Sequence, residues 1–237
     1  MAFELEFDKA GEHKFETGVS KGVLYVLDPE SQEENKYGNG VAWNGLTSIN
    51  ESPEGAEPTA LYADNIKYLN LMSAEDFKGT IECYTYPDEF GVCDGSDELI
   101  SGVSVGQQTR RMFGLCYRTE IGNDETQTFG YKLHLVYNCL ASPSERAHES
   151  VNDSPNAETM SWEFSTTPVN IADVNNKKFK PTAHLVVDST KLTESKMRAL
   201  EEVLYGKVTS SEGSNPSVVH AKLPLPNEVV TILNSAQ

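Results

Sequence analysis

Phe129-Gly130-Tyr131-Lys132-Leu133-His134-Leu135-Val136-Tyr137-Asn138-Cys139-Leu140 is the stretch that decides the fold class of this chain. Phe129, Tyr131, Leu133, Leu135, Tyr137 and Cys139 occupy every second position, and a period of two is that of a strand with one buried face. His134 belongs to the alternate set, so the pattern places its imidazole at a surface or an interface.

The same period spreads outward from there. Leu115 to Ile121 reads as the preceding strand, and Gly122-Asn123-Asp124 as a hairpin loop, because Asn and Gly tolerate positive φ. Val23, Tyr25 and Leu27 alternate, as do Ile81, Cys83 and Thr85, and Met160, Trp162 and Phe164. Phe3, Leu5 and Phe7 alternate with acids at the N-terminus, and Ala183 to Val187 is a further strand. Many short strands joined by turns make a sandwich or barrel. Helices are few. Thr193 to Tyr205 carries Met197, Leu200, Val203 and Leu204 on one face, with Thr193 as N-cap and Gly206 as a stop. A short turn is expected at Pro87 to Val92. The fold class expected is mainly β, a β-sandwich with one flanking α-helix. It forms a single domain over residues 1–190, with residues 191–237 as a helix and flexible appendage.

The 237 residues include 36 acidic and 19 basic side chains, a net charge of −17. Residues 1–100 hold 21 of the acids and 6 of the bases, so the first half carries nearly all the excess. Glu30, Glu33, Glu34, Asp64, Asp88, Glu89, Asp94, Asp97 and Glu98 belong to it. That balance argues against an ordinary nucleic-acid grip, which runs on clustered Lys and Arg. It fits either solvated loops or a surface that must not stick to a polyanion. Aromatics at 9% argue against disorder, and a chain this long can bury roughly 70% of its unfolded surface. No run of eighteen apolar residues spans a membrane and no signal-peptide apolar block opens the chain, so a soluble protein made in the cytoplasm is expected.

No catalytic constellation emerges. Cys83, Cys93, Cys116 and Cys139 are too far apart in sequence for the close ligand pairs of zinc sites and read as small buried hydrophobes. The five histidines are dispersed, without a metal-binding spacing. Cys116 and His134 could meet across a hairpin as nucleophile and base, but only nearby arginines hint at a lowered thiol pKa. Asp94-Gly95-Ser96-Asp97-Glu98 holds part of a calcium loop and lacks the rest. Abundant carboxylates leave a glycosidase pair open without supporting it. Catalytic residues, cofactors and metals are therefore all assigned as none.

Asp28 to Ala60 lacks firm periodicity, with Pro29, Gly38, Gly40, Gly45, Pro53, Gly55 and Pro58 among seven acids. Loops of that length are usually functional or disordered. Trp43 and Leu46 within it are either partner-binding anchors or pack back on their own sheet.

A series of blocks then bears on identity. Gly40-Val41-Ala42-Trp43-Asn44-Gly45-Leu46 leads to Asn50-Glu51-Ser52-Pro53-Glu54-Gly55-Ala56-Glu57-Pro58, then Tyr62-Ala63-Asp64-Asn65-Ile66-Lys67-Tyr68 and Tyr84-Thr85-Tyr86-Pro87-Asp88-Glu89-Phe90. Val105-Gly106-Gln107-Gln108, Phe113-Gly114-Leu115-Cys116-Tyr117-Arg118, Ile121-Gly122-Asn123-Asp124 and Leu133-His134-Leu135-Val136-Tyr137 follow. Asn152-Asp153-Ser154-Pro155, Ser161-Trp162-Glu163-Phe164-Ser165-Thr166-Thr167-Pro168 and Leu223-Pro224-Leu225-Pro226 complete it. In order, these blocks resemble the major tail proteins of long, flexible-tailed bacteriophages (siphophages) of Gram-positive hosts.

The resemblance implies a tail-tube fold whose strands join an inter-subunit barrel. It implies a structural virion protein, assembled in the host cytoplasm, without an active site. Hexameric rings would stack around a tape-measure protein into the conduit for DNA ejection, with tail terminator and baseplate or distal tail proteins as further partners. DNA would only pass through, unbound, and no membrane is involved. A long loop would reach the neighbouring ring, which makes Trp43, Leu46, Glu51, Glu54 and Glu57 the expected inter-ring contacts. No large immunoglobulin-like domain follows, unlike in some tail proteins. The rival readings are a monomeric carbohydrate-binding module with Trp43, Tyr84 and Tyr86 as stacking platform, and a glycoside hydrolase.

Overall fold

The computed structural model describes residues 5, 7–148, 150, 157–174, 176–209 and 217–236. In chain order the strands are β1 (Phe15–Val26), β2 (Val41–Trp43), β3 (Leu46–Glu51), β4 (Glu54–Gly55), β5 (Pro58–Ala63), β6 (Ile66–Met72), β7 (Glu75–Asp76) and β8 (Lys78–Cys83). The short helix α1 (Gly91–Asp94) precedes β9 (Asp97–Ile100), β10 (Val103–Val105), β11 (Phe113–Gly122), β12 (Gly130–Ala141), β13 (Met160–Thr166) and β14 (His184–Asp188). Helix α2 (Glu194–Tyr205), strands β15 (Lys207–Thr209) and β16 (Ser217–Val219), and helix α3 (Pro226–Ser235) close the chain. The fold is mainly β, as the alternation requires.

One antiparallel sheet organises the molecule, in the order β2-β1-β11-β12-β13-β8-β3, with β14 also paired to β12. Its two end strands, β2 and β3, are consecutive in the chain, joined at Asn44-Gly45, where Gly45 takes φ +81°. The sheet therefore curls back on itself. A Cβ at Gly22 of β1 would stand 2.2 Å from Leu46 Cδ1 of β3, so glycine permits the approach of those strands. Inside the curl lie Leu24, Ile81, Phe90, Leu115, Val136, Trp162 and Phe164. Against the outer face of β1, β11 and β12, Met197, Leu200 and Leu204 of α2 and Val229 of α3 cover Tyr25, Cys116, Leu135 and Tyr137. These three strands are buried on both sides, which a reading of one buried face misses.

The β11–β12 hairpin stands as expected, with Asn123 Oδ1 accepting from the Thr126 amide at 2.7 Å. The alternation in β12 does not run its full length, however. Leu133, Leu135 and Tyr137 face the helices, while Cys139 faces the interior of the curl. Between Phe113↔Cys139 and Leu115↔Val136 the register slips, and Asn138 sits at φ +47°. This is a β-bulge, which inserts one residue and flips every side chain beyond it. The amide and carboxamide of Asn138 both bond the Tyr37 hydroxyl, at 2.8 and 3.0 Å. At the bulge β12 changes partner, from β14 over Lys132–Val136 to β13 over Cys139–Ala141.

Three further expectations are corrected. The segment over 28–60 is not a continuous loop but holds β2, β3, β4 and the start of β5. Two flanking helices of ten or more residues pack on the sheet, not one. Residues beyond 191 are also no mere appendage, because buried Leu223 and Val229 complete the outer core. Buried Asn35 donates through Nδ2 to Leu223 O at 2.8 Å and to Glu228 Oε2 at 2.7 Å, which pins the start of α3. Of the expected N-terminal strand, Phe3 lies outside the described residues, and Leu5 and Phe7 are exposed and not in a strand. Most of the Ser/Gly/Asn/Pro-rich stretch, 210–216, and the Asn152–Pro155 block also lie outside them.

Candidate assembly surface

After β3 the chain leaves the body. Glu54 and Gly55 of β4 pair with Asp76 and Glu75 of β7, and Lys78 Nζ meets Glu54 Oε2 at 2.6 Å on the exposed side. Beyond this root, β5 and β6 form a hairpin whose strands, among the described residues, pair only with each other. Asp64 and Asn65 at its tip both have positive φ, 50° and 63°, the requirement of a two-residue hairpin turn. Leu61 stands opposite Leu69 and Thr59 opposite Leu71, so Leu61, Leu69 and Leu71 share one face. Leu61, Tyr62, Ile66, Tyr68, Leu69, Leu71 and Met72 are all exposed, from 38% for Leu69 to 71% for Tyr62. An isolated two-stranded hairpin is marginal in water, and this one exposes apolar side chains on both faces. A second exposed hairpin, β9–β10, carries Leu99, Ile100 and Val103.

The residues expected at an inter-ring contact distribute differently. Trp43 is 3% exposed, with Nε1 donating to Thr85 O at 3.1 Å and its ring 4.7 Å from that of Phe90. Leu46 packs against the same core, so both side chains lie on their own sheet. Glu51, Glu54 and Glu57 instead border the root of the arm, from the end of β3 to the residue before β5. The exposed apolar side chains follow them, at 61–72. Their signal in sequence is Asp64-Asn65 between two apolar runs, which looks like any half-buried hairpin.

The Cys116–His134 pair and the aromatic platform are not assembled. Cys116 faces the helices, whereas its neighbour Tyr117 pairs in register with His134 on the other face of the sheet. Burial pushes the Cys116 thiol up to about 12, so it is no thiolate at neutral pH. Asp94 is committed to structure, accepting from Trp162 Nε1 at 2.8 Å and Arg146 Nη2 at 2.7 Å. Trp43, Tyr84 and Tyr86 form no platform, since Trp43 is buried and Tyr86 packs edge-on against Trp162. All four cysteines are buried and free.

At the arm's root lies a polar cluster. His134, expected at a surface or an interface, is only 6% exposed, because the alternate face of β12 is the inside of the curled sheet. Its ring stacks on that of Tyr117, with centroids 4.6 Å apart and planes 7° apart. His134 Nδ1 lies 3.1 Å from His184 Nε2 and 3.3 Å from Glu51 Oε1, and the Tyr117 hydroxyl donates to Glu51 Oε1 at 2.6 Å. Contact with His134, then the Tyr117 hydroxyl, holds the Glu51 carboxyl down at about 2 despite its partial burial. Burial pulls His184 down to about 4, which keeps it neutral. Glu51 and His184 also line a cleft of about 850 Å³ between the arm's root (Ala56, Met72–Glu75) and the 180–184 segment.

Among the described residues no helix is long and apolar enough to cross a membrane. No family model matches the chain, and no curated protein does. Among solved structures, a chain of the anti-feeding prophage baseplate, from a sixfold-symmetrised cryo-electron microscopy structure, is similar at 8% identity and a TM-score of 0.35, over 77% of this chain and 97% of that one. A chain of the sheath-tube complex of an extracellular contractile injection system in its extended state is similar at 10% identity and a TM-score of 0.30, over 71% and 88%.

Proposed function

We propose that the chain is the major tail-tube subunit of a long-tailed phage and acts by self-assembly into stacked rings. The observation that carries this reading is the β5–β6 arm, an exposed apolar hairpin with no other sheet partner among the described residues. Such a hairpin gains most of its order when a neighbouring copy covers it. The ordered sequence blocks that resemble tail proteins supply the ring and tube. A head-to-tail contact closes into a ring, and a contact out of the ring plane then stacks rings into a tube. The net charge of −17 suits a conduit from which DNA must slide without adhering. In this role the arm reaches the adjacent ring, Glu51, Glu54 and Glu57 flank the contact, and the tape-measure protein fills the lumen.

The test is negative-stain electron microscopy with light scattering over a concentration series. The wild type is compared with a variant in which a short Gly/Ser turn replaces residues 58–72. The wild type is expected to form sixfold rings or hollow tubes, and the armless variant to remain a folded monomer. A wild type that stays monomeric throughout, or an armless variant that still forms tubes, overturns the reading.

A further inference from the structure

The cluster at the arm's root gathers metal-type donors around one point, with hydrogen bonds holding them from behind. His134 Nε2 lies 3.0 Å from Thr119 Oγ1, and the Thr119 hydroxyl proton is committed to Glu16 Oε1 at 2.5 Å. The threonine oxygen is thus an acceptor toward His134, which puts the imidazole proton on Nε2 and leaves Nδ1 with a lone pair. Nδ1 nevertheless faces Glu51 Oε1 at 3.3 Å, and a carboxylate oxygen only accepts. His184 Nε2 stands 3.1 Å from the same Nδ1. In the metal-free cluster a proton on His184 Nε2 bridges the two imidazoles, and a metal ion bound by both nitrogens would replace it.

The donor set defines which ion fits there. We propose that Glu51, His134 and His184 bind one divalent transition-metal ion, zinc in the first place. One ligand atom from each side chain lies within 4.8 Å of the other two. Two imidazoles and a carboxylate suit zinc, whereas calcium and magnesium take oxygen donors. Zinc bonds of about 2.0–2.1 Å set tetrahedral ligands roughly 3.3–3.4 Å apart. His134 Nδ1 stands 3.1 Å from His184 Nε2 and 3.3 Å from Glu51 Oε1, and His184 Nδ1 stands 3.7 Å from Glu51 Oε2. The surroundings fit as well. Tyr117 orients the carboxylate, and Thr119 with Glu16 holds the far nitrogen of His134, as outer hydrogen bonds do at metal sites. Glu51 and His184 line the cleft, which gives an ion a path to the cluster.

The ligands come from β3, β12 and β14, so the ion ties the strand that leads into the arm to β14, which among the described residues pairs only with β12. It is a structural staple beneath the arm, and the inference stands whether or not the subunit builds tubes.

Chelator-treated full-length protein titrated with ZnCl₂ by calorimetry, and with CoCl₂ by visible absorption, tests it. The expected result is one equivalent of metal, with the intense bands of tetrahedral cobalt. His184→Ala and Glu51→Gln, both at positions that are not fully buried, should abolish stoichiometric uptake while circular dichroism shows each variant folded. Tyr117→Phe should weaken binding by about 10–100-fold. A folded wild type that takes up neither metal, or uptake that survives at full affinity in both ligand variants, overturns the proposal. His134 and His184 rings seen metal-free by ¹⁵N NMR in zinc-saturated solution overturn it too.

Discussion

Replacing Leu61 and Leu71 together by serine should dismantle assembly while leaving the subunit intact. Their exposures of 42% and 55% leave roughly half of each side chain for a neighbour to cover. Burying a whole leucine is worth about 1.5–3 kcal/mol, so the two halves contribute about 1.5–3 kcal/mol to each arm contact. At 1.4 kcal/mol per factor of ten, the critical concentration for assembly rises about 10–150-fold. The folded monomer loses little, because substitutions at exposed positions usually shift stability by less than ~0.5 kcal/mol. Sedimentation velocity over a concentration series reads the first quantity, and urea unfolding of the dilute monomer reads the second. A critical concentration within threefold of wild type, with monomer stability unchanged, would refute the assignment of the arm as the contact.

Other consequences concern the subunit itself. Asn35→Ala should cost about 1–3 kcal/mol in urea unfolding, since Leu223 O and Glu228 each lose a buried partner and the start of α3 comes loose. Gly79→Ala should cost about 1–3 kcal/mol, because the new Cβ would stand 2.7 Å from Asn50 O, a backbone atom that cannot step aside. Cys93 and Cys116, both pushed by burial up to about 12, should resist thiol reagents at pH 8 in the native protein and react fully in guanidinium. Unfolded thiols ionise near ~8.5, so the stability these two groups contribute is whole below that pH and declines as pH rises from there toward 12. Unfolding midpoints measured at pH 7.5 and pH 10 check the sign.

The sequence by itself determined the strands and their sidedness wherever a strand stayed regular. Alternation along Leu133, Leu135 and Tyr137 is a property of the extended backbone, which sends successive side chains to opposite faces whatever packs against them. The helix at 194–205 was legible for the same reason, from its own spacing and its Gly206 stop. Helix α3 left a trace, with Pro226 at its first position and Glu228 two residues later, but that stretch reads equally as an extended tail. What lay beyond a local pattern was the partner of each face. The Asn138 bulge, Trp43 turned inward, the second buried face of β12 and the uncovered arm all depend on which distant segment arrives. Glu51, His134 and His184 are separated by 83 and 50 positions, and only the curling of one sheet brings them within 4.8 Å. Periodicity encodes the side to which a residue points, a matter of backbone geometry. What it meets there is set by closure of the sheet, through contacts between segments that carry no mark of each other.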